Sequence, residues 1–257
     1  MNLSPLLIVS VIFAALYLLM DMYYFVGWLR LKKSETGNQK SNLLFVSIVI
    51  PTRNESEYIQ ACLESIFKQN YPKEKFEVVV VDDYSTDPTL RLARETNATN
   101  LLVFDLMQYL GNPGEYIPNK KKAIALGIKN AKGDLIITTD GDCTMNENWL
   151  SAMVNHYLQS GKKLITGPVM VKPARNPFAW FQQLDVMNMS AIGGATMRNG
   201  FPTMCNGANL AFEKKVFDEV GGYSNFENLA SGDDMFLMHK VFRKYPTSVK
   251  FLKSFFY

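Results

Sequence analysis

The sequence is poor in the residues that build soft-metal sites and disulfide frameworks. It has 257 residues but only three cysteines, Cys62, Cys143 and Cys205, and only two histidines, His156 and His239. The cysteines lie far apart and form no Cys-x-x-Cys pair, which argues against zinc ligation and against a disulfide-stapled fold. We therefore expect a reducing compartment and a chain that folds around a hydrophobic core.

An excess of charge of one sign is also missing. The 27 basic and 24 acidic residues leave a formal net charge of +3, which is too small to indicate nucleic acid as a partner. The hydrophobic content of 47% is ordinary for a globular protein with room for one large domain or two small ones.

One long hydrophobic run stands at the N-terminus. It extends from Leu3 to Met20 and resumes after Asp21 as far as Leu29, enough for the ~20 residues that a transmembrane helix needs. A basic segment before the run and a small-residue cleavage site are missing, so residues 1–30 are predicted to be an uncleaved single-pass anchor. Asp21 is expected to face the interface, a partner helix or a polar cavity.

Basic residues follow this run and do not precede it. Arg30, Lys32 and Lys33 come directly after it, and the positive-inside bias then predicts that the rest of the chain faces the cytoplasm. The polar residues 31–42 are predicted to be a linker. Residues 43–257 are predicted to form the functional domain.

Strands and helices alternate in the first half of that domain. Asn54 and Glu57 are spaced as a capping box for the first helix, Asp87 as the N-cap of the second, and Gly133 as the end of the third. The alternation predicts a mostly parallel sheet with helices on both faces. The predicted strands are 44–50, 76–81, 100–104 and 134–139, and the predicted helices begin near residues 59, 87 and 120.

The second half has a less regular pattern. Gly193, Gly194, Gly200 and Gly207 predict a loop-rich region. His156 falls on a helix that we expect to lie at the surface. The segments predicted here are helices at 147–159, 176–189 and 234–242, an extended stretch at 163–171 and a strand at 248–252.

Acidic residues follow two of the predicted strands. Residues 82–83 follow the second strand, and Asp140 and Asp142 follow the fourth, while residues 233–234 precede a helix. In a parallel sheet the first two sets lie along the edge where ligands bind. Each set alone also fits a turn or a helix cap. Together they would repel one another unless neutralised, and Mg²⁺ or Mn²⁺ with a diphosphate supplies that neutralisation.

The sequence Asp-Gly-Asp-Cys-Thr at 140–144 also fits the Asp-x-Asp-x-Thr loop of haloacid-dehalogenase-like phosphatases. In that alternative Asp140 is the nucleophile and Asp142 the acid/base, with residues 233–234 binding Mg²⁺. The phosphatase motif normally opens its sheet, which leaves the strand–helix units at 44–93 without a role. The spacing alone keeps this alternative open.

The upstream units distinguish the hypotheses. The segments SIVIPTRNESEYIQACLESI and VVVVDDYSTD resemble the nucleotide-binding half of family 2 glycosyltransferases, which have the GT-A fold. Further segments resemble the lysine helix, the DxD motif, the acceptor-side loop and the catalytic acidic pair, in family order. They are KKKAIALGIKNAKGD, TTDGDC, CNGANLAF with VGGY, and SGDDMFL. The resemblance covers about residues 46–242 and implies a nucleotide-sugar half at 43–142 and an acceptor half at 143–257.

Residue roles follow from the resemblance alone. It implies that Asp83 bonds the nucleotide base, typically uracil, and that Asp142, together with Asp140, ligates Mn²⁺ or Mg²⁺. It implies Asp234 as the general base, with Asp233 in place of the usual Glu. The residues implied at the nucleotide-sugar are Pro51, Arg53, Glu55, Asp83, Lys122 and Asp140, and those on the acceptor side are Asn206, Gly207 and Asn209.

The resemblance implies an inverting transfer from a nucleotide-sugar, a UDP-sugar by preference, to a lipid- or glycan-type acceptor at the membrane, as in polysaccharide biosynthesis. Two departures qualify it. Gly127 stands where many relatives have Asn, and no Gln-x-x-Arg-Trp motif occurs before Tyr257. Processive synthesis is therefore not expected, and a truncated relative that binds nucleotide without transfer is a further alternative.

Overall fold

The computed structural model describes residues 4–33, 43–111, 119–172, 176–224, 226, 229 and 232–254. Most of the predicted linker, at 34–42, lies outside the described residues, as does the end of the chain at 255–257. The helices are α1 (Pro5–Arg30), α2 (Ile59–Phe67), α3 (Thr89–Glu95), α4 (Leu106–Leu110), α5 (Lys120–Asn130), α6 (Trp149–Ser160), α7 (Pro177–Arg198), α8 (Lys214–Glu219) and α9 (Asp233–Lys244). The strands are β1 (Val46–Thr52), β2 (Phe76–Asp82), β3 (Leu101–Asp105), β4 (Leu135–Thr138), β5 (Leu164–Thr166), β6 (Leu210–Glu213) and β7 (Val249–Phe251).

One seven-stranded sheet organises the domain, in the order β3-β2-β1-β4-β6-β5-β7. The strands β3, β2, β1 and β4 are mutually parallel, and β5 and β7 are parallel to each other. Every residue of β1 and β2 is buried, which fits strands covered on both faces. The predicted fold class, a mostly parallel α/β sheet preceded by one long apolar helix, is confirmed.

Alternate residues of the central strands pack into two separate cores. Val49, Val79 and Val81 face the side covered by α5, α8 and α9, while Ile48 and Val78 face the side covered by α2 and α6. The period-2 alternation of strand side chains makes this division. The β-branched runs of the sequence therefore supply both layers.

The antiparallel strand β6 was not predicted. It pairs with both β4 and β5, and its four residues, LAFE, contain no β-branched residue that would mark a strand. Its position brings the turn before it to the sheet edge, where the Thr138 hydroxyl donates to the Gly207 carbonyl over 2.6 Å. The extended stretch predicted at 163–171 is a strand only at its first residues, in β5.

The prediction of a loop at Gly193 and Gly194 was wrong, because both glycines lie within α7. A Cβ on Gly194 would lie 2.9 Å from Leu31 Cδ1, and one on Gly27 would lie 2.9 Å from the Ala195 carbonyl oxygen. The glycines therefore allow close approach of α7 to α1 and β7, as small residues do at helix–helix contacts.

The predicted capping box was also wrong. Asn54 has a positive φ of 53°, and its side chain accepts from Thr86 N at 2.8 Å, while α2 begins after Tyr58 without a side-chain cap. The N-cap of α3 is Pro88 and not the predicted Asp87, although the Asp87 carboxylate accepts a hydrogen bond from Thr89 N at 3.0 Å. Gly133 does not cap α5, but a Cβ there would lie 2.6 Å from Ser47 N, so close backbone approach requires a glycine at this position.

His156 lies on the buried face of α6, contrary to the expectation of a surface position. Its side chain is only 5% exposed. Burial and the nearby Lys250 lower its pKa to about 4, so the imidazole is neutral at physiological pH. We assign it no catalytic role.

Candidate functional site

The candidate site lies at the carboxyl ends of β1, β2 and β4. Thr52, the last residue of β1, is in register with Asp82, and Asp83 N donates to the Thr52 carbonyl over 2.8 Å. On the other side of β1, Thr139 N donates to the Val49 carbonyl over 3.3 Å. The acidic residues that follow β2 and β4 therefore flank the end of β1, at one edge of the sheet as predicted.

A cleft of about 530 Å³ opens beside this edge. One wall is the turn after β4, with Asp140 and Asp142, and another is the turn before β6, with Asn206 and Asn209. The segment 168–172, which follows β5, closes a third side. A volume of this size matches small-molecule and cofactor sites in proteins.

The residues expected at the nucleotide surround the end of β1. Pro51 is buried within β1 opposite Val81. Asp83 is 4% exposed, and its Oδ2 accepts from Asn119 N at 3.1 Å, which ties this carboxylate to the start of α5. The buried Nη1 of Arg53 has no hydrogen-bond partner among the described residues, as expected of an N–H group that donates to a bound ligand.

Glu55 lies directly against the turn after β4. A Cβ on Gly141 would overlap Oε2 of Glu55 and lie 2.9 Å from Thr52 Cγ2, so a larger residue between the two aspartates would displace the Glu55 carboxyl group. Burial, followed by the negative charges of Asp142 and Asp140, raises the pKa of Glu55 to about 8. Three carboxyl groups thus crowd together, and Oε2 of Glu55 is buried without a partner in the described part of the chain.

This crowding fits a divalent cation that arrives with a diphosphate. Among the residues that the structure describes, no group of three or more His, Cys, Asp or Glu side chains is arranged to hold a metal on its own. Mg²⁺ in nucleotide sites is typically bound by one or two carboxylates and the substrate phosphates. Asp142, which is exposed at the cleft, and Asp140 are placed to supply such carboxylates, and after burial their negative charge is the main cause of the raised pKa of Glu55.

Lys120 is the cation that neutralises part of this charge. Its Nζ lies 2.5 Å from Asp140 Oδ1. Burial alone would lower its pKa, but Asp140, Asp233 and Asp234 together raise it. The same lysine therefore contacts Asp140 directly, and the charges of the acidic pair at the start of α9 also favour its protonated form.

Lys122, the lysine expected at the nucleotide-sugar, lies elsewhere. It is exposed and lines a separate cavity of about 420 Å³ with Phe217 and Tyr223. Between the two, Lys121 is buried and its Nζ donates to the Leu229 carbonyl over 2.5 Å. The sequence did not single out Lys120 as the lysine that contacts Asp140, because three consecutive lysines differ only by their rotation around the helix.

Asp234 lies at the start of α9, facing the turn before β6. Its Oδ2 accepts from Gly207 N at 2.8 Å, and its Oδ1 accepts from Met235 N at 2.7 Å. Burial and then the adjacent Asp233 raise the pKa of Asp234, while these hydrogen bonds and Lys120 oppose the rise. A carboxylate with a raised pKa is a stronger base, as proton abstraction requires.

The three residues expected on the acceptor side differ in their surroundings. Asn206 Oδ1 accepts from Ala208 N at 2.9 Å, closing the turn at the cleft wall. Gly207 presents its N–H to Asp234. Asn209 is 4% exposed, and its amide bonds Trp149 Nε1 at 3.0 Å and the Pro168 carbonyl at 2.8 Å. Asn209 therefore braces the cleft wall from behind.

Comparison with known proteins gives relatives along most of the chain. The model of glycosyl transferase family 2 matches residues 47–221. Glycosyltransferase AglE of Haloferax volcanii is 32% identical over 199 residues, covering 76% of this chain and 60% of AglE. A Methanococcus voltae enzyme, dolichyl N-acetyl-α-D-glucosaminyl phosphate 3-β-D-2,3-diacetamido-2,3-dideoxy-β-D-glucuronosyltransferase, is 34% identical over 126 residues, 46% of this chain and 36% of the enzyme.

Solved structures share the fold. The mannosyltransferase PcManGT from Pyrobaculum calidifontis, in complex with GDP-Man and Mn²⁺, superimposes with a TM-score of 0.71 at 22% identity, covering 94% of this chain and 64% of that chain. Staphylococcus aureus TarS 1–349 with UDP-GlcNAc superimposes with a TM-score of 0.58 at 24% identity, covering 82% and 57%. The chain thus spans less than two thirds of each of these relatives. With the family model matching over most of its length, this chain belongs to glycosyl transferase family 2 and has the GT-A fold.

Proposed function

We propose that this chain transfers a sugar, with inversion at the anomeric carbon, from a UDP-sugar to a lipid- or glycan-type acceptor at the membrane. The observation that carries this proposal is a set of contacts at the end of β4: Lys120 contacts Asp140 there, and the Gly207 turn bonds both Thr138 and Asp234. Asp140 and Asp142 line the cleft, whereas Asp233 and Asp234 begin α9, with Asp234 held by the backbone of the Gly207 turn. Such a division suits a leaving group held at one end and a base at the other.

Asp234 is proposed as the general base. Its carboxylate is fixed by two backbone N–H groups, so a hydroxyl held within reach would meet an oriented acceptor for its proton. Asp233 beside it raises its basicity by charge repulsion. A single displacement with the base opposite the leaving group gives inversion.

Asp142 and Asp140 are proposed to hold Mn²⁺ or Mg²⁺ together with the diphosphate. A bound metal ion would stabilise the negative charge that the diphosphate gains as it leaves. Lys120 would contribute a positive charge at the same place, because its Nζ already contacts Asp140. Pro51, Arg53, Glu55 and Asp83 would line the nucleotide, with the unpartnered Nη1 of Arg53 available to it.

The donor and acceptor classes draw on the relatives. TarS is solved with UDP-GlcNAc and PcManGT with GDP-Man and Mn²⁺, so these structures do not decide between uracil and guanine. The preference for uracil rests on the resemblance of the segment that contains Asp83. The Methanococcus voltae relative is named for a dolichyl-phosphate-linked sugar acceptor. That name and the N-terminal helix support an acceptor at the membrane.

Membrane placement is proposed from α1 and α7. Among the described residues, α1 is long and apolar enough to cross a membrane, and no part of its most apolar window is buried. On α7, Phe178, Trp180 and Phe181 are 58–69% exposed, which is unusual for large apolar side chains grouped on a soluble surface. The basic residues after α1 favour a cytoplasmic domain.

Incorporation of labelled sugar tests the proposed activity. Membranes carrying the full chain are incubated with Mn²⁺ and labelled UDP-glucose, UDP-GlcNAc or GDP-mannose, and label is counted in the lipid and glycan fractions. We expect incorporation from a UDP-linked donor only, with inverted anomeric configuration in the product by NMR. Incorporation from GDP-mannose alone would overturn the uracil preference, and a retained configuration would overturn the single displacement. Hydrolysis of a generic phosphate ester without any incorporation would restore the phosphatase hypothesis.

A further inference from the structure

We propose that a basic cavity below the end of α1 binds the phosphate headgroup of an anionic membrane lipid. The cavity, called here the juxtamembrane cavity, has a volume of about 830 Å³. It lies where the ends of α1, α6 and α7 meet the turn before β7. This inference rests on the membrane placement of α1 proposed above.

Among the described residues that line the juxtamembrane cavity, six are cationic and none carries a carboxylate: the cationic residues are Arg30, Lys32, Lys33, Lys162, Arg198 and Lys250. Within the described part of the chain, none of the six forms an ion pair with Asp or Glu. Burial and the neighbouring Lys162 and Lys32 lower the pKa of Lys250, which shows that these charges act on one another. A bound anion relieves this repulsion.

The cavity floor is apolar. Leu31, Met197, Val249 and Phe251 line it, each at most 8% exposed. A free inorganic anion would gain nothing from such a floor, whereas a lipid has carbon next to its phosphate. The combination of a basic rim and an apolar floor therefore fits an amphipathic anion.

The position of the cavity matches the depth of lipid headgroups. The 26 residues of α1 make a helix of about 39 Å, longer than the roughly 30 Å hydrocarbon core, so its last turn reaches the headgroup layer. The cavity begins at that turn, with Arg30.

The rim is held in place by contacts between α1 and the domain. Arg198 Nε donates to the Arg30 carbonyl over 3.2 Å. Lys253 Nζ donates to the Trp28 carbonyl over 2.8 Å and lies 4.5 Å from the centre of the Trp28 ring. Among the described residues, the juxtamembrane cavity shares no lining residue with the cleft beside Asp140 and Asp142. We therefore assign its lipid a positioning role, distinct from that of the acceptor.

Binding of labelled lipids to the full chain in non-ionic detergent tests this inference. Phosphatidylglycerol is expected to bind at least about tenfold more tightly than phosphatidylcholine, because each juxtamembrane cation contributes roughly fivefold in affinity. The double variant Lys32→Gln/Lys250→Gln should lose about 20-fold in affinity for phosphatidylglycerol, and the exposed Lys32→Gln alone about fivefold. The matched control Lys73→Gln/Lys129→Gln removes two exposed lysines that do not line the cavity and should change affinity by less than about twofold.

Three outcomes overturn the inference: equal binding of the two lipids, equal losses in the two double variants, or displacement of phosphatidylglycerol by inorganic phosphate at equimolar concentration. The last would identify a free-anion site. Alkaline carbonate extraction of membranes tests the placement of α1 separately. A chain that is extracted but still prefers phosphatidylglycerol contradicts the anchor alone, and a chain that stays in the membrane without lipid preference contradicts the cavity assignment alone.

Discussion

The substitution Asp234→Asn is expected to lower the rate of sugar transfer by about 10²- to 10⁴-fold, the usual contribution of a general base. Asn has nearly the same shape as Asp, but it accepts a proton far less readily. The loss should appear in kcat, because the proposed role of Asp234 concerns the acceptor proton and leaves the grip on the nucleotide to other residues. The loss in kcat is checked by measuring the rate of sugar transfer in membranes at a saturating concentration of the donor.

A structural effect of Asp234→Asn must be separated from a chemical one. Asp234 accepts hydrogen bonds from Gly207 N and Met235 N, and Asn can satisfy only one of these with its oxygen. The thermal midpoint of the variant should therefore fall modestly. The control Asp218→Asn removes an exposed carboxylate on α8 and should transfer at the wild-type rate. A variant Asp234→Asn that retains wild-type transfer would rule out the base assignment.

The substitution Lys120→Gln is expected to weaken binding of the sugar donor by about 10- to 100-fold, measured as a rise in KM for the UDP-sugar. A hydrogen bond to a charged group contributes about 1.5–3 kcal/mol, and each 1.4 kcal/mol is about tenfold in affinity. Removing the lysine also leaves Asp140 and the nearby Asp142 without the cation that now contacts Asp140, so the diphosphate would meet stronger repulsion.

Lys122→Gln is the matched control for Lys120→Gln. It makes the same chemical change two residues along the same helix, at an exposed position that lines a different cavity. We expect a change in KM of less than about twofold. The reverse pattern would be a raised KM in Lys122→Gln and an unchanged KM in Lys120→Gln. It would show that Lys122 is the donor-binding lysine, as the family motif implies, and that the contact between Lys120 and Asp140 does not contribute to donor binding.

The sequence predicted the parallel half of the fold well, because its signals are local. Runs such as VVVV in β2, followed by Asp and Pro, carry the strand and the next helix start within a few residues. The strand β6 could not be predicted in this way. Its four residues have no strand pattern of their own and are held by pairing with β4 and β5, which are distant in sequence.

Long-range packing also explains the errors at single residues. In the sequence, Gly193 and Gly194 look like loop glycines. They are needed because α7 approaches Leu31, Phe251 and Met204 too closely for a larger side chain. His156 is of a polar residue type often found at the surface, but the face of α6 that carries it packs against the core.

The candidate site was predictable in its chemistry and less so in its arrangement. The order of strands and acidic pairs predicted one shared sheet edge, and the register of β1 with β2 and β4 agrees with it. The contact of Glu55 with Gly141 and the pairing of Lys120 with Asp140 depend on side-chain direction across elements. Sequence spacing does not determine such directions.

The most direct test of the central claim is a calorimetric titration of UDP, in the presence of Mn²⁺, into the wild type, Asp142→Asn and Asp234→Asn. Outer-shell changes around a metal already cost about 10- to 100-fold in affinity, so loss of the proposed ligand Asp142 should weaken Mn²⁺-dependent UDP binding by at least that factor. Asp234→Asn should bind UDP within about twofold of the wild type, because a base acts after binding. Equal losses in both variants, or no loss in either, would contradict the division of the site into a metal clamp and a base.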